Sequence, residues 1–178
     1  MNKPTRRKLF AVIGSALAGA AAPSRLNAKA PDLVGSRWIH SHGPSAWKDR
    51  KGLVTIVHFW TYGCYNCNNN LPSYARWQKH FAGQNLEIIG IHTPEFEKEA
   101  VAANVEKKVR EFGIEWPVLL DPQRTNWQRW NQQYWPAVYL VDKTGRVRYR
   151  WDGELNYGGL QGEQRMRDLA EQLLTQDE

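Results

Sequence analysis

The sequence predicts an α/β domain in which a mixed central β-sheet is flanked by helices on both faces. Short apolar runs rich in β-branched residues, typical of buried strands, alternate with longer amphipathic stretches along most of the chain. Such alternation is typical of parallel strands joined by crossover helices. Near the carboxyl end two strand-like runs are separated only by a short turn, so that part of the sheet is expected to be antiparallel.

Five runs are predicted to be strands. The first, "LVTIVHFW", is an apolar and β-branched run that begins directly after Gly52. The last two flank "DKTG", where Gly145 can take the positive φ that a hairpin turn needs. The predicted strands are 53–60, 86–92, 117–120, 137–142 and 146–151.

Four segments are predicted to be helices. In the first, Leu71, Tyr74, Trp77 and other apolar residues recur at helical spacing. The second is charged and amphipathic, and it ends at Gly113, a residue suited to a helix terminus. The predicted helices are 64–81, 97–112, 124–133 and 163–174.

The first thirty residues are predicted to be an export signal, leaving residues 31–178 as a single domain. A basic start precedes the apolar run 10–22, which is too short and too rich in Ala and Gly to span a bilayer comfortably. The small-x-small pattern at residues 28–30 predicts cleavage after Ala30. We therefore expect a periplasmic or otherwise exported protein, or a membrane-anchored one if the leader stays uncleaved.

The leader also bears on the export route and on the charge. The segment "TRRKLF" at residues 5–10 resembles the twin-arginine motif, which directs the export of folded proteins; an ordinary leader with two arginines is the alternative. Six of the 24 basic residues lie in the leader and all 18 acidic residues lie beyond it, so the remaining chain has no net charge. Composition therefore gives no reason to expect binding to nucleic acid or to an anionic membrane.

Cys64 and Cys67 are the two cysteines of the chain, and three uses are open to such a pair: a structural disulfide, a metal site or a redox couple. A disulfide across so short a loop would stabilise the fold by only about 2 kcal/mol. The pair lies where the first core strand gives way to a helix, and the amino end of a helix favours a thiolate at Cys64. Cys67 follows almost one turn later, within reach for a disulfide. This arrangement suits dithiol exchange, in which one sulfur attacks and the other resolves.

Several motifs around the cysteine pair occur together. Phe59-Trp60 stand shortly before the first cysteine, Pro72 follows Cys67 by five positions, and the segments "HTPE" and "YWPAVYLVDKTGRV" come later in the chain. With these motifs, residues 33–175 resemble thioredoxin-fold exported proteins of the TlpA/ResA type, in particular the thioredoxin-like domain of DipZ proteins. The interval from Phe59-Trp60 to the first cysteine is the family's, and the two segments are similar to the loop after the second core strand and to the cis-proline segment with its hairpin. The resemblance implies that Cys64 is the nucleophile, that Cys67 resolves, and that Pro136 is the cis-proline.

The chain departs from thioredoxin at three places. Gly63 stands where thioredoxins commonly have Trp, and His58 stands where thioredoxin has a buried acid. The dipeptide between the cysteines is Tyr65-Asn66 rather than Gly-Pro or Pro-His. These departures leave the redox potential and the choice of partner open.

Further residues are assigned supporting roles. His58 either helps to deprotonate Cys67 or is a hydrogen-bonded core histidine. The resemblance implies a proton-transfer role for Glu95, with a solvated loop carboxylate as the alternative. Trp60 is expected to pack beneath the site. The substrate groove is predicted to comprise Trp135, Pro136, Tyr65 and Asn66, whereas His40 and His42 are expected on a surface loop.

The predicted activity is reduction of exported protein disulfides through the two cysteines, without a metal or other cofactor. In DipZ proteins a comparable domain accompanies an electron-conducting membrane domain, so the resemblance implies a separate membrane donor of the DipZ/CcdA type. We expect a monomer.

Two alternatives stay open. Copper delivery would use Cys64, Cys67 and His92 as ligands, whereas a zinc site would need two further ligands from scattered histidines. A peroxiredoxin-like peroxidase is suggested by Thr61, three residues before Cys64, but Val57 stands where that family's proline is expected.

Overall fold

The computed structural model describes residues 26–40 and 46–176. Within these residues the chain forms one six-stranded sheet and four α-helices. Residues 1–25 of the proposed leader and His42 lie outside the described residues. The strands are β1 Trp38–Ile39, β2 Val54–Trp60, β3 Leu86–His92, β4 Val118–Leu120, β5 Ala137–Val141 and β6 Val147–Asp152. The helices are α1 Tyr65–His80, α2 Ala102–Glu111, α3 Thr125–Arg129 and α4 Gly162–Thr175.

The sheet has the order β1-β4-β3-β2-β5-β6 and is mixed, as the sequence predicts. The three central pairings differ in direction: β2 runs parallel to β3, β3 parallel to β4, and β2 antiparallel to β5. The predicted hairpin joins β5 to β6, and Gly145 takes a φ of 78° in its turn. Strand β1, which pairs antiparallel with β4, was not predicted because two residues show no periodicity.

Side chains of β2 alternate between two hydrophobic cores. Val54, Ile56 and Trp60 face one core, which also contains the buried sides of α1, α2 and α4. Val57 and Phe59 face the other core, which α3 and the segment before β2 cover. Helices therefore lie on both faces, as predicted, but three of the four lie on one of them. The second core contains several tryptophans in place of a long helix: Trp38, Trp47, Trp127 and Trp130.

Two predicted helices are shorter than expected, α2 at its start and α3 mainly at its end. The segment predicted as 97–112 begins with a separate 3₁₀ turn, Glu97–Glu99, and α2 starts only after the extended residue Val101. The segment predicted as 124–133 shortens to α3, which ends at Arg129, shortly before Asn131 takes a left-handed φ of 49°. Arg124, just before α3, has a left-handed φ of 58°, and its guanidinium donates hydrogen bonds to the carbonyl of Pro94.

Residues 27–30, at the end of the predicted leader, are part of the folded unit. Val147 pairs with this segment from both its backbone groups, accepting from Asn27 N–H at 2.7 Å and donating to Ala28 C=O at 3.0 Å. Ala30 donates to the carbonyl of Gly145 at 2.9 Å and is only 6% exposed. Among the described residues, none of the helices has the length and apolar character needed to cross a bilayer.

Candidate active site

Cys64 lies at the start of α1, immediately beyond the end of β2. It is the N-cap residue, in an extended conformation with φ −83° and ψ 113°. Its Sγ accepts a hydrogen bond from the backbone N–H of Cys67 at 3.2 Å. An N-cap sulfur faces the unpaired amides and the positive end of the helix dipole, which favour the thiolate over the thiol. The predicted position of Cys64 at the helix start is confirmed.

Cys64 and Cys67 form a disulfide, with their Cα atoms 5.2 Å apart. The two sulfurs differ in access, because Cys64 is half-buried whereas Cys67 is fully buried in the core. A partner can therefore approach Cys64 from outside, whereas the core shields Cys67 from solvent. This asymmetry is what an attacking and a resolving cysteine require.

A buried polar network lies beneath the loop that joins β2 to α1. Thr61, fully buried, donates from its hydroxyl to Glu99 Oε2 at 2.7 Å. The same hydroxyl lies 3.3 Å from Nε2 of His92, at the end of β3. The carbonyl of Thr61 accepts from the N–H of Cys64 at 3.2 Å, so this one residue connects the network to the nucleophile's backbone.

Gly63 allows Glu99 to approach the residue before Cys64. A Cβ built on Gly63 would lie well inside van der Waals contact with Glu99 Oε1. A carboxylate oxygen therefore occupies the space that a side chain at this position would need. This close approach accounts for one departure of the sequence from thioredoxin.

His92 has a low basicity in this network. Burial lowers its pKa from 6.5 to about 4, and the charge of Glu99 raises it only in part. Its ring stacks on Tyr62, with centroids 5.6 Å apart, and its Nε2 lies 3.4 Å from the Tyr62 amide. The pKa of Tyr62 is raised, first by burial and then by the charge of Glu99.

His58 is a buried, neutral histidine. Burial lowers its pKa from 6.5 to about 3. Its Nε2 accepts a hydrogen bond from Trp116 Nε1 at 2.9 Å, and its ring stacks on Tyr74 with centroids 4.1 Å apart. The nitrogen that could accept a proton is therefore occupied, which favours the core interpretation over a role in deprotonating Cys67.

Glu95 and Glu99 lie in different surroundings, and the sequence predicts a role only for Glu95. Glu95 is exposed, and its backbone N–H donates to Glu99 Oε2 at 2.8 Å. Glu99 is the fully buried carboxylate beside the loop that carries Cys64. Sequence reasoning missed Glu99 because it was counted as part of the charged, amphipathic helix 97–112. The signal that could have found it is Gly63, whose missing side chain leaves room for a neighbour.

The remaining predicted residues lie around the site at different depths. Trp60 is fully buried and packs edge-on against His92 with centroids 5.1 Å apart, beneath the loop. Trp135 is half-buried, and its indole stacks on Trp127 at 3.9 Å. The Trp135-Pro136 peptide bond is cis. Tyr65, 75% exposed, and Asn66 lie on the outer side of the first turn of α1.

Within the described residues, no group of three or more His, Cys, Asp and Glu side chains has the arrangement of a metal site. His40, which precedes the undescribed residues 41–45, has a left-handed φ of 63°.

The fold and the cysteine pair together define a thioredoxin-like redox protein: a mixed sheet whose first long helix begins at a Cys-x-x-Cys disulfide. The AhpC/TSA family matches residues 26–150, and the chain belongs to that family.

Known proteins similar to this chain agree with that class. Protein DipZ of Mycobacterium tuberculosis is 39% identical over 131 residues, a match that covers 72% of this chain but only 19% of DipZ. The thiol-disulfide oxidoreductase YkuV of Bacillus subtilis is 25% identical over 130 residues, covering 70% of this chain and 84% of YkuV. A thiol-disulfide isomerase from Corynebacterium glutamicum shares the fold, with a TM-score of 0.71 at 21% identity over 83% of this chain and 98% of that one.

The buried histidines predict that the folded protein loses stability as the pH falls from about 6.5 toward 4. Unfolded, each histidine binds a proton near pH 6.5, whereas the folded pKa is about 3 for His58 and about 4 for His92. In this window the unfolded state holds more protons. The free energy of unfolding therefore decreases with falling pH, by at most ~1.4 kcal/mol per pH unit for each histidine.

Urea denaturation between about pH 4.5 and pH 7.5 measures this slope. His58→Gln removes one of the two titrations and should flatten the slope, whatever its effect on stability at neutral pH. His40→Gln, which replaces an exposed imidazole after β1, is the control. An unchanged slope in His58→Gln would show that the fold does not hold this histidine neutral.

Proposed function

We propose that this protein is an exported thiol–disulfide oxidoreductase that reduces the disulfides of other exported proteins. The observation that carries the proposal is the Cys64–Cys67 disulfide at the start of α1, with one sulfur accessible and the other buried. The names of YkuV and of the similar protein ResA of Bacillus subtilis, both thiol-disulfide oxidoreductases, support it.

The reaction transfers two electrons and two protons in two exchanges. In the reduced protein the Cys64 thiolate attacks a substrate disulfide, forming a mixed disulfide while the first substrate sulfur leaves and takes a proton. The Cys67 thiol then gives up its proton and attacks Cys64 Sγ. The second substrate sulfur leaves and takes up a proton, so the substrate becomes a dithiol and Cys64–Cys67 becomes a disulfide.

Such a reductant needs an electron supply, because exported compartments oxidise thiols. We propose a membrane donor of the DipZ/CcdA type that reduces the Cys64–Cys67 disulfide after each turnover. The match to DipZ supports this choice of donor. Both cysteines come from one chain, which supports action as a monomer.

The substrate groove is proposed to lie between the first turn of α1 and the start of β5. Phe59, next to the end of β2, pairs with Ala137, the first residue of β5. Pro136 therefore lies at the same end of the sheet as the loop to Cys64. Trp135 is half-buried there, and Tyr65 and Asn66 present exposed side chains to an incoming chain. An extended substrate segment can pair with the backbone beside the cis-proline at this end of the sheet.

The alternatives have less support. Copper delivery through Cys64, Cys67 and His92 would need the His92 ring free, but its Nε2 lies within 3.3–3.4 Å of Thr61 Oγ1 and the Tyr62 amide. A peroxidase at Cys64 is disfavoured by a resolving cysteine already bonded to it within the same helical turn.

Trapping of intermediates tests the assignment of the two sulfurs. Without Cys67 the mixed disulfide cannot be resolved, so Cys67→Ser should accumulate covalent complexes with disulfide-containing proteins. Cys64→Ser should trap almost none, because the remaining Cys67 sulfur is buried. Non-reducing electrophoresis, followed by mass spectrometry of the linked peptides, detects the covalent complexes of both variants. The variant with both cysteines replaced by Ser is the control. Complexes through Cys67 instead of Cys64 would overturn the assignment.

The direction of electron flow is tested by equilibrating the protein with glutathione. We expect a potential near the about −270 mV of thioredoxin rather than the about −120 mV of the oxidant DsbA. A value near that of DsbA would refute the reductase direction, while leaving dithiol exchange itself intact.

Export through the leader is part of the proposal, and the folded structure favours cleavage before Asn27. Residues 27–30 pair with the β5–β6 hairpin, and Ala30 is buried, so a chain beginning at Pro31 would lose those backbone hydrogen bonds. A protein exported already folded would moreover present the bond after Ala30 poorly to a peptidase.

Mass spectrometry of the exported protein locates the cleavage point. We expect an amino terminus that keeps residues 27–30, and a lower unfolding temperature for a chain that starts at Pro31. An exported form beginning at Pro31 and equally stable would restore cleavage after Ala30.

A further inference from the structure

The buried carboxylate of Glu99 has geometry that points to a role in the redox reaction. Its Oε2 accepts three hydrogen bonds, from Thr61 Oγ1 at 2.7 Å and from the amides of Glu95 and Phe96 at 2.8 and 3.2 Å. Its Oε1 has no hydrogen-bond partner among the described residues, although it is fully buried. Three donors on one oxygen fix the carboxylate in place, and the other oxygen faces a site without a donor.

The free oxygen faces the backbone next to the nucleophile. Oε1 lies against Gly63, where any side chain would collide with it. Thr61 forms the second connection, because its hydroxyl binds Glu99 while its carbonyl accepts the N–H of Cys64. Both paths from Glu99 lead to the segment that holds Cys64 at the amino end of α1.

We infer that Glu99 is a positioning residue that holds a negative charge beside Cys64 and so makes the Cys64–Cys67 pair more reducing. The inference rests on the proposed function, because it identifies a residue that favours the reducing direction of the proposed thiol–disulfide exchange. A fixed negative charge disfavours a second negative charge nearby, so it destabilises the Cys64 thiolate. The disulfide carries no charge and is not affected in this way. The equilibrium between dithiol and disulfide therefore shifts toward the disulfide, as a reductant requires.

The charged and titratable groups around Glu99 are compatible with this field. His92 is neutral at working pH because burial lowers its pKa to about 4. Tyr62 has a raised pKa and is neutral too, and the Glu99 charge contributes to the rise. Lys108 of α2, whose charge partly offsets that effect on Tyr62, is itself paired with Glu111 at 2.7 Å. The nearby Lys98 contributes its backbone carbonyl, which accepts the Tyr62 hydroxyl.

Glu99→Gln in the full chain tests the inference, because it removes the charge and keeps the shape. We expect the equilibrium constant for reduction by glutathione to rise about tenfold, and the acid dissociation constant of Cys64 to rise by a similar factor. Thiolate absorbance against pH measures the second quantity. Glu97→Gln is the matched control: it removes an exposed carboxylate from the same 3₁₀ turn and should stay within about twofold of the parent.

A structural role alone predicts a different result. If Glu99 only braced the loop, Glu99→Gln would lower the unfolding temperature and leave both constants within about twofold of those of Glu97→Gln; that outcome overturns the inference. Glu99→Asp keeps the charge but moves it away from Gly63, so both constants should change by an intermediate factor. This variant replaces Glu99→Gln as the test if the Gln variant does not fold. An oxidising parent protein with a tenfold response to Glu99→Gln would refute the reductase proposal and leave this inference standing. A reducing parent protein whose constants do not change in Glu99→Gln would overturn this inference and leave the reductase proposal standing.

Discussion

The position of the reactive sulfur depends on how the chain leaves β2. All seven residues of β2 are buried, and the strand is paired on both sides, so its carboxyl end has no freedom to shift. Beyond it, Thr93 N–H donates to the Trp60 carbonyl at 3.0 Å, and Thr61 is held through its hydroxyl by Glu99. The loop to Cys64 is thus held through its backbone and through a side chain. Because α1 begins directly after this loop, the position of its first turn is determined by these contacts.

The sheet register places the other parts of the site at the same end of the sheet. Because β2 and β3 run parallel with Trp60 opposite His92, both strands deliver their next residues to one end of the sheet. Strand β5 runs the other way and begins opposite Phe59, so Pro136 arrives at that end from the opposite direction. Residues far apart in sequence therefore meet because of strand order and direction, before any side chain is considered.

The sequence was sufficient for the elements whose signal is local. The strand 53–60, the helix after Cys64 and the hairpin at Gly145 each have a period or a turn residue that specifies them, and the structure contains all three. What could not be read locally depends on contacts across the chain. Strand β1 exists only because β4 offers an edge, and the break before α2 accompanies the turn of Glu99 back onto the amides of Glu95 and Phe96. The same contacts made Glu99, and not Glu95, the buried acid.

Two opposed electrostatic influences meet at Cys64. The amino end of α1 stabilises a thiolate there, typically by about 0.3–1 kcal/mol and by up to about 2 where the site is partly buried. The fixed charge of Glu99 acts against it. Since about 1.4 kcal/mol corresponds to 30 mV for this couple, a small excess on either side moves the potential over a functionally important range. Tyr65 and Asn66, the residues between the cysteines, point to solvent, where their influence is screened. The balance is therefore set from beneath the site by the turn that buries Glu99, and a change in that turn would retune the couple without altering the cysteine motif.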